Sequence, residues 1–134
     1  MIDCFISHVW RQSEQWVSFE KFLYEDKKIE WRNFSLPWHD PALKVGSGLG
    51  KKLLMDNLVN QVLPSKIFFL LESLYEKKSN LFWLDFQLNI ATEKKIPIIF
   101  VPNNDNSFSK IKNNFYTIKN NYTSLHDTVK KLNL

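Results

Sequence analysis

Apolar and polar residues follow one another along the chain in a pattern that predicts alternating strands and helices. Short apolar stretches of strand length fall at 3–6, 29–36, 67–71, 97–101 and 115–118. Segments whose apolar residues recur on one helical face lie between or after them, at about 13–26, 49–63, 80–92 and 124–132. We expect Ser13 to cap the first helix, and Pro64 to end the second because proline removes a backbone donor.

The order of these elements indicates the fold class. The runs 67–71 and 97–101 are apolar throughout, which is typical of parallel strands that helices cover on both faces. Because strand and helix alternate, we predict a single α/β domain over residues 1–134 with a doubly wound parallel sheet. Ligands of such sheets bind beyond the carboxyl ends of the strands. The candidate site is therefore expected within 7–12, 36–50, 72–80 and 102–109.

Length and composition narrow the class of protein. The chain has 134 residues, which is enough for one core and too few for two ordinary domains. Its longest apolar runs, 67–71 and 96–101, are far shorter than the roughly 20 residues of a membrane-spanning helix. The N-terminal residues show no secretory signal pattern, so we expect a cytoplasmic protein. One cysteine and three histidines argue against a disulfide and against a metal site.

The distribution of charge and the absence of certain motifs argue against three common classes of protein. Lys and Arg number 18 and Asp and Glu 14, for a net charge of +4. Most lysines occur as separated pairs, whereas nucleic-acid-binding proteins usually gather them in one patch. No glycine fingerprint follows the first strand, and no glycine loop ends in Lys-Ser or Lys-Thr. We therefore expect neither a nucleic-acid-binding protein nor a nucleoside triphosphatase or Rossmann dehydrogenase.

Three stretches of the sequence carry a resemblance to a known family. They are Phe5-Ile6-Ser7-His8, then Trp31-Arg32-Asn33-Phe34-Ser35-Leu36-Pro37 with Asp40-Pro41, and finally Trp83-Leu84-Asp85-Phe86-Gln87-Leu88 before Ala91 and Lys95-Ile96-Pro97-Ile98-Ile99. In this order, they resemble the bacterial TIR-like domains of the Thoeris type of anti-phage defence. The resemblance implies a TIR-like, flavodoxin-like sheet of five parallel strands in the order 2-1-3-4-5.

The resemblance also implies an activity. Many members of that family cleave the bond between nicotinamide and ribose in NAD, their substrate, and form an ADP-ribose-derived nucleotide that is cyclic or joined to another small molecule. This nucleotide activates a separate effector protein. The implied partners are thus NAD, the ADP-ribose-type product and the effector, with self-association or a phage-derived trigger as further partners. We expect no metal, membrane or nucleic acid among them.

Gln87 occupies the position on which the activity depends. Members of the family carry a catalytic glutamate there, four residues after a tryptophan and four before an alanine, which correspond to Trp83 and Ala91. A carboxylate stabilises the positive charge that develops on the ribose, whereas an amide can only hydrogen-bond a hydroxyl. Gln87 is therefore an engineered change that impairs cleavage, a natural feature of a silent member, or a polar residue at the edge of an apolar helix. Ser7 and His8 complete the expected catalytic group.

The remaining candidate residues are expected to bind the nucleotide. Trp38 and His39 offer rings for stacking, and Asp40 offers a hydrogen-bond acceptor. Ser47 lies where the N–H groups of a helix start favour a pyrophosphate. In a plainer interpretation, the glycines around it only form a turn and Ser47 only caps the helix. The further expected contacts, including an arginine that can pair with a phosphate, are Phe5, Trp10, Arg32, Asn33 and Trp83.

Two other classes of function stay open. One is a non-enzymatic binding or assembly module, because many TIR-like domains act through self-association. The other is a nucleoside-processing transferase of related fold. An aromatic-lined pocket between Ser7, Trp38 and Gln87 would favour the enzyme, whereas an exposed apolar patch without a pocket would favour assembly.

Overall fold

A computed structural model describes residues 1–9, 13–36, 48–104 and 115–134. The strands are β1 (Ile2–Ile6), β2 (Trp31–Asn33), β3 (Ile67–Leu71), β4 (Ile98–Val101) and β5 (Tyr116–Thr117). The helices are α1 (Glu14–Tyr24), α2 (Gly48–Val62), α3 (Leu81–Glu93) and α4 (Tyr122–Leu132). Two short 3-10 turns, Glu72–Glu76 and Lys78–Asn80, connect β3 to α3. Strands and helices thus alternate in the predicted order.

The five strands form one sheet in which every pair is parallel. Their order is β2-β1-β3-β4-β5, which confirms the predicted α/β class and strand order. The register places Cys4 opposite Asn33 on one side and Ile67 on the other. Because the topology reverses between β1 and β3, a crevice for a ligand is expected at their carboxyl ends.

The core is centred on β3 and β4, whose residues are all buried, as their continuous apolar runs predicted. The rings of Phe5 and Phe68 lie 5.1 Å apart between neighbouring strands. Phe69 meets Phe19 and Trp31 edge to face, at 4.8 and 5.6 Å. Aromatic rings bury the largest apolar area per residue, so these contacts dominate the cohesion of the core.

The helices cover both faces of the sheet. Right-handed crossovers from β1 to β2 and from β2 to β3 run in opposite directions, which places α1 on one face and α2 and α3 on the other. The Phe22 and Tyr122 rings stack at 4.3 Å and join α1 to α4. Ser13 accepts a hydrogen bond from the N–H of Trp16 and caps α1, as predicted. Within the described residues, no helix is both long and apolar enough to cross a membrane.

The second strand is shorter than the sequence pattern predicted. It spans Trp31–Asn33 instead of 29–36, although the N–H of Phe34 still donates to the Cys4 carbonyl at 2.9 Å. Asn33 Oδ1 accepts hydrogen bonds from the N–H and the hydroxyl of Ser35, at 2.9 and 2.5 Å. This local side-chain bonding competes with the sheet ladder and turns the chain away from β1.

Candidate functional site

Gln87 and His8 meet at the carboxyl edge of the sheet. His8 follows β1, and Gln87 lies on α3 one helical turn after Trp83. The backbone N–H of His8 donates to Gln87 Oε1 at 3.2 Å, and Gln87 Nε2 donates back to the His8 carbonyl. A backbone N–H can only donate, so this pair shows which end of the amide is the oxygen. Gln87 is fully buried, and both ends of its amide are used.

These two hydrogen bonds suit an amide better than a carboxylate. A carboxylate could also accept the N–H of His8, but it has no hydrogen for the His8 carbonyl and would bring two oxygens together. The geometry therefore gives Gln87 a structural role in addition to any role toward a ligand. Gln87 is a polar residue of an apolar helix, as one interpretation held, but it lies in the interior instead of at the edge.

The imidazole of His8 is enclosed as well. Its Nε2 lies 2.9 Å from Gln61 Oε1, and its Nδ1 lies 3.3 Å from the Val9 carbonyl oxygen. Burial lowers the pKa of His8 below its usual value of 6.5, although the hydrogen bonds with Gln61 and Val9 oppose this shift. Only 2% of His8 is exposed, so the ring is neutral near physiological pH and presents almost no surface to solvent.

Ser7, Phe5 and Trp83 lie in the same region, where the core holds them. The Ser7 hydroxyl is buried and accepts the N–H of Leu71 at 2.9 Å, which joins the ends of β1 and β3. The buried ring of Phe5 lies 5.4 Å from the His8 ring. Trp83 and His8 border a cavity of only about 10 Å³, which is the size of one water site. These contacts favour structural roles for the three residues.

Arg32 and Asn33 are not brought to the His8–Gln87 pair. Arg32, on the edge strand β2, donates two hydrogen bonds to the Asp3 carboxylate at 2.7 and 2.9 Å, which lower the pKa of Asp3. Its guanidinium also lies over the Phe34 ring. Asn33 Nδ2 donates to Glu20 of α1 at 2.7 Å. Both side chains thus hold the edge strand.

Five of the predicted binding residues lie outside the described residues, namely Trp10, Trp38, His39, Asp40 and Ser47. The two segments that contain them adjoin the site in the sequence. Residues 10–12 follow Val9, and residues 37–47 join Leu36 to the start of α2. The participation of these five residues in a ligand site stays a prediction.

A larger crevice opens at the same edge of the sheet, with a volume of about 690 Å³ that is typical of small-molecule sites. The start of α1, the 3-10 turns after β3 and the end of β4 form its walls. Its polar lining consists of Ser13, Gln15, Ser73, Ser79, Asn80 and Asn103. Parts of this lining fall in the segments expected at the ligand edge, but none of these residues was predicted to contact a ligand. Polar residues just after the ends of central strands were the signal that could have identified Ser73 and Asn103.

Gln15 organises this crevice. Its Nε2 donates to the carbonyls of Val101 and Pro102 at 2.9 and 3.1 Å, and its Oε1 accepts the N–H of Ser73 at 2.9 Å. One side chain of α1 therefore connects the ends of β3 and β4. The hydroxyl oxygen of Ser73 is buried and has no hydrogen-bond partner among the described residues. A hydroxyl in this state can bond a polar group of a bound molecule.

The charge of the crevice is nearly balanced. Glu14 and Glu76 line it together with Lys77. Such a lining suits the hydroxyls and amides of a ligand better than a dense array of phosphates. Val9 borders both this crevice and the small cavity beside His8, so the two spaces lie on either side of one residue.

Within the described ranges, no group of His, Cys, Asp and Glu residues could hold a metal ion. The thiol of Cys4 is buried in the core, and burial raises its pKa, so it is unreactive at physiological pH. Comparison of the chain with protein-family models, with curated proteins and with solved structures found no match in any of the three. Function is thus inferred from the site and from the sequence motifs.

Proposed function

We propose that the chain is a TIR-like domain of anti-phage defence that binds NAD at the carboxyl edge of its sheet. Its reaction class is cleavage of the nicotinamide–ribose bond to an ADP-ribose-type nucleotide. That nucleotide, whether hydrolysed, cyclic or conjugated, acts in the cytoplasm as a signal for a separate effector. With Gln87 in place, the chain binds NAD and cleaves it slowly.

The position of Gln87 is the observation that supports the proposal most. Strand order and the register of α3 bring this side chain against the end of β1, at the edge of the sheet where ligands of such folds bind. The TIR-like resemblance in the sequence puts the family carboxylate at the same position. The resemblance in the sequence and the position of α3 in the fold thus both support Gln87 as part of the ligand site.

The crevice beside Val9 supplies room for a substrate. Its volume of about 690 Å³ fits a nucleotide-sized ligand, and its hydroxyl and amide groups suit ribose hydroxyls and a carboxamide. The small cavity beside His8 cannot admit such a ligand unless neighbouring side chains move. The predicted binding residues of segment 37–47 stay candidates for the rest of the binding site.

The lack of charge on Gln87 and His8 accounts for the slow cleavage that we propose. When nicotinamide leaves, positive charge develops on the ribose, and a nearby carboxylate lowers the energy of that state. Gln87 is uncharged, and burial keeps His8 neutral. Neither residue can therefore stabilise the developing cation through a charge of its own.

The Gln87→Glu variant tests the proposal. Because the introduced carboxylate cannot donate to the His8 carbonyl, we expect it to turn away from that carbonyl, and a ribose can reach it once the side chains around the small cavity move. Nicotinamide release, measured with NAD by mass-resolved product analysis, should rise by about 10²- to 10³-fold. NAD affinity should change much less. Asn89→Asp makes the same chemical change on the exposed side of α3 and should leave the rate unaltered.

A second candidate function is a nucleotide-binding or assembly module without catalysis. The observation that favours it is the complete use of the Gln87 amide by the His8 backbone, which explains this residue without any reaction. Binding of NAD by both forms without nicotinamide release from either, even with candidate acceptors present, would establish this alternative. Equal and measurable release by both forms would contradict a catalytic role for this position.

A further inference from the structure

Gln61 joins two parts of the candidate site that are distant in the sequence. Its Oε1 lies 2.9 Å from the backbone N–H nitrogen of Leu36 and 2.9 Å from Nε2 of His8. Gln61 lies in the last turn of α2, Leu36 lies beyond the end of β2, and His8 follows β1. One side-chain oxygen thus connects the exits of two neighbouring strands.

The contact with Leu36 determines where His8 carries its hydrogen. A backbone N–H can only donate, so the Gln61 atom that faces Leu36 must be the amide oxygen. That oxygen can only accept, so Nε2 of His8 must be protonated in order to bond it. In the neutral ring, Nδ1 is then the nitrogen without hydrogen, although it lies near the Val9 carbonyl oxygen.

We propose that Gln61 is a positioning residue of the candidate site: it holds His8 in the Nε2–H tautomer and connects Leu36, beyond the end of β2, to the residues that follow β1. The role in ligand binding rests on the proposed function. The tautomer and the contact with Leu36 are properties of the unliganded chain.

The position of Gln61 in a longer chain of hydrogen bonds makes this role specific. Leu36 and the His8 ring bond the oxygen of Gln61, and the backbone of His8 bonds both ends of the Gln87 amide. A change at Gln61 is therefore expected to reach the Gln87 position through His8. No direct contact between Gln61 and the substrate is needed for this effect.

Nitrogen-15 NMR of the imidazoles in the unliganded chain, at mildly alkaline pH, is the decisive experiment. Gln61→Met keeps the length of the side chain but removes the acceptor oxygen. We expect His8 to change from the Nε2–H to the Nδ1–H tautomer, because the Val9 carbonyl is then the acceptor beside its ring. Gln61→Glu retains acceptor oxygens and should preserve Nε2–H. Asn60→Met, on the exposed side of α2, is the matched control and should change nothing.

Binding of NAD to the same variants is the second measurement. Gln61→Met should weaken binding about tenfold, the equivalent of one hydrogen bond of ordinary strength. Gln61→Glu should restore most of the affinity, and Asn60→Met should retain all of it.

Each outcome tests a different part of the proposal. An unchanged tautomer in Gln61→Met would overturn the inference. A changed tautomer with unchanged NAD affinity would show that Gln61 shapes the fold but does not position the site. If the unsubstituted chain binds no NAD, the proposed function fails and the positioning role fails with it, while the tautomer comparison still shows whether Gln61 holds His8.

Discussion

Two histidine clusters, one buried and one partly buried, lie at opposite edges of the sheet, and different chemistry holds each of them. At the carboxyl edge, His8 contacts the amides of Gln61 and Gln87. At the amino edge, His126 of α4 lies 2.8 Å from the carboxylate of Asp26, which follows α1. The first cluster consists of neutral partners, whereas the second is built around a carboxylate.

The Asp26 cluster has all of its partners within the described fold. The carboxylate accepts hydrogen bonds from the N–H groups of Lys28 and Ile29, from Trp31 Nε1 and from His126 Nε2. Its side chain is 1% exposed. Burial by itself raises the pKa of Asp26, but these hydrogen bonds outweigh burial and lower it below its usual value. The cluster joins α1, β2 and α4 into one unit.

The ring of His8 is more buried than that of His126, and its surroundings differ. It borders a small cavity, and the neighbouring residue Val9 also lines the larger crevice. The comparison teaches that low exposure of a histidine does not reveal its role, because little of either residue is exposed, 2% of His8 and 14% of the His126 side chain. We infer that the amino-edge cluster serves stability and that the carboxyl-edge cluster serves ligand binding.

The largest expected effect on stability is at the amino edge. Asp26→Ala removes the acceptor of four hydrogen bonds, three of which are partly buried, and should lower the free energy of unfolding by about 3 kcal/mol. Urea denaturation measures this change. Asp127→Ala, an exposed position on the same helix as His126, is the control and should change stability by less than about 0.5 kcal/mol. A loss no greater than that of the control would contradict the structural role of Asp26.

The same cluster predicts how stability changes in acid. Since the pKa of Asp26 is lower in the folded chain than its usual 3.8, the stabilisation is complete above that value and is lost as the pH falls through the folded pKa. Asp26→Asn should therefore show a flatter acid limb than the unsubstituted chain. An identical acid limb in both would assign the acid sensitivity to other carboxylates.

A smaller effect on stability is expected at the carboxyl edge. Gln87→Leu introduces an apolar side chain of similar size but leaves the N–H and the carbonyl of His8 without partners, which should lower the free energy of unfolding by about 2 kcal/mol. Asn89→Leu, on the exposed side of α3, serves as the control in the same denaturation assay. A Gln87→Leu chain as stable as the unsubstituted one would show that the amide pairing does not contribute to the fold.

The fold could be predicted because its signals are local. Continuous apolar runs at 67–71 and 97–101 indicated buried parallel strands, and Ser13 indicated a helix start. The length of β2 could not be predicted, because it depends on the competing hydrogen bonds between Asn33 and Ser35. Such competition leaves no periodic pattern in the sequence.

The site could be predicted only in part, because its contacts depend on how elements pack. Helical spacing predicted that Gln87 lies one turn from Trp83. It could not predict that the amide of Gln87 pairs with the His8 backbone. Gln61 belongs to no sequence motif. It gains its contacts only because α2 packs beside the ends of two strands. Similarly, Gln15 gains its role only when α1 packs beside the ends of β3 and β4.

The most direct test of the account is an NMR titration of the unsubstituted chain with NAD, with both edges of the sheet observed at once. We predict saturable changes at the backbone amides of His8 and Val9 and at Ser73 and Asn103 of the crevice, while the ring signals of His126 stay constant. Binding with these changes would locate the ligand at the carboxyl edge. The absence of saturable changes, or changes confined to His126 at the amino edge, would contradict the proposed site.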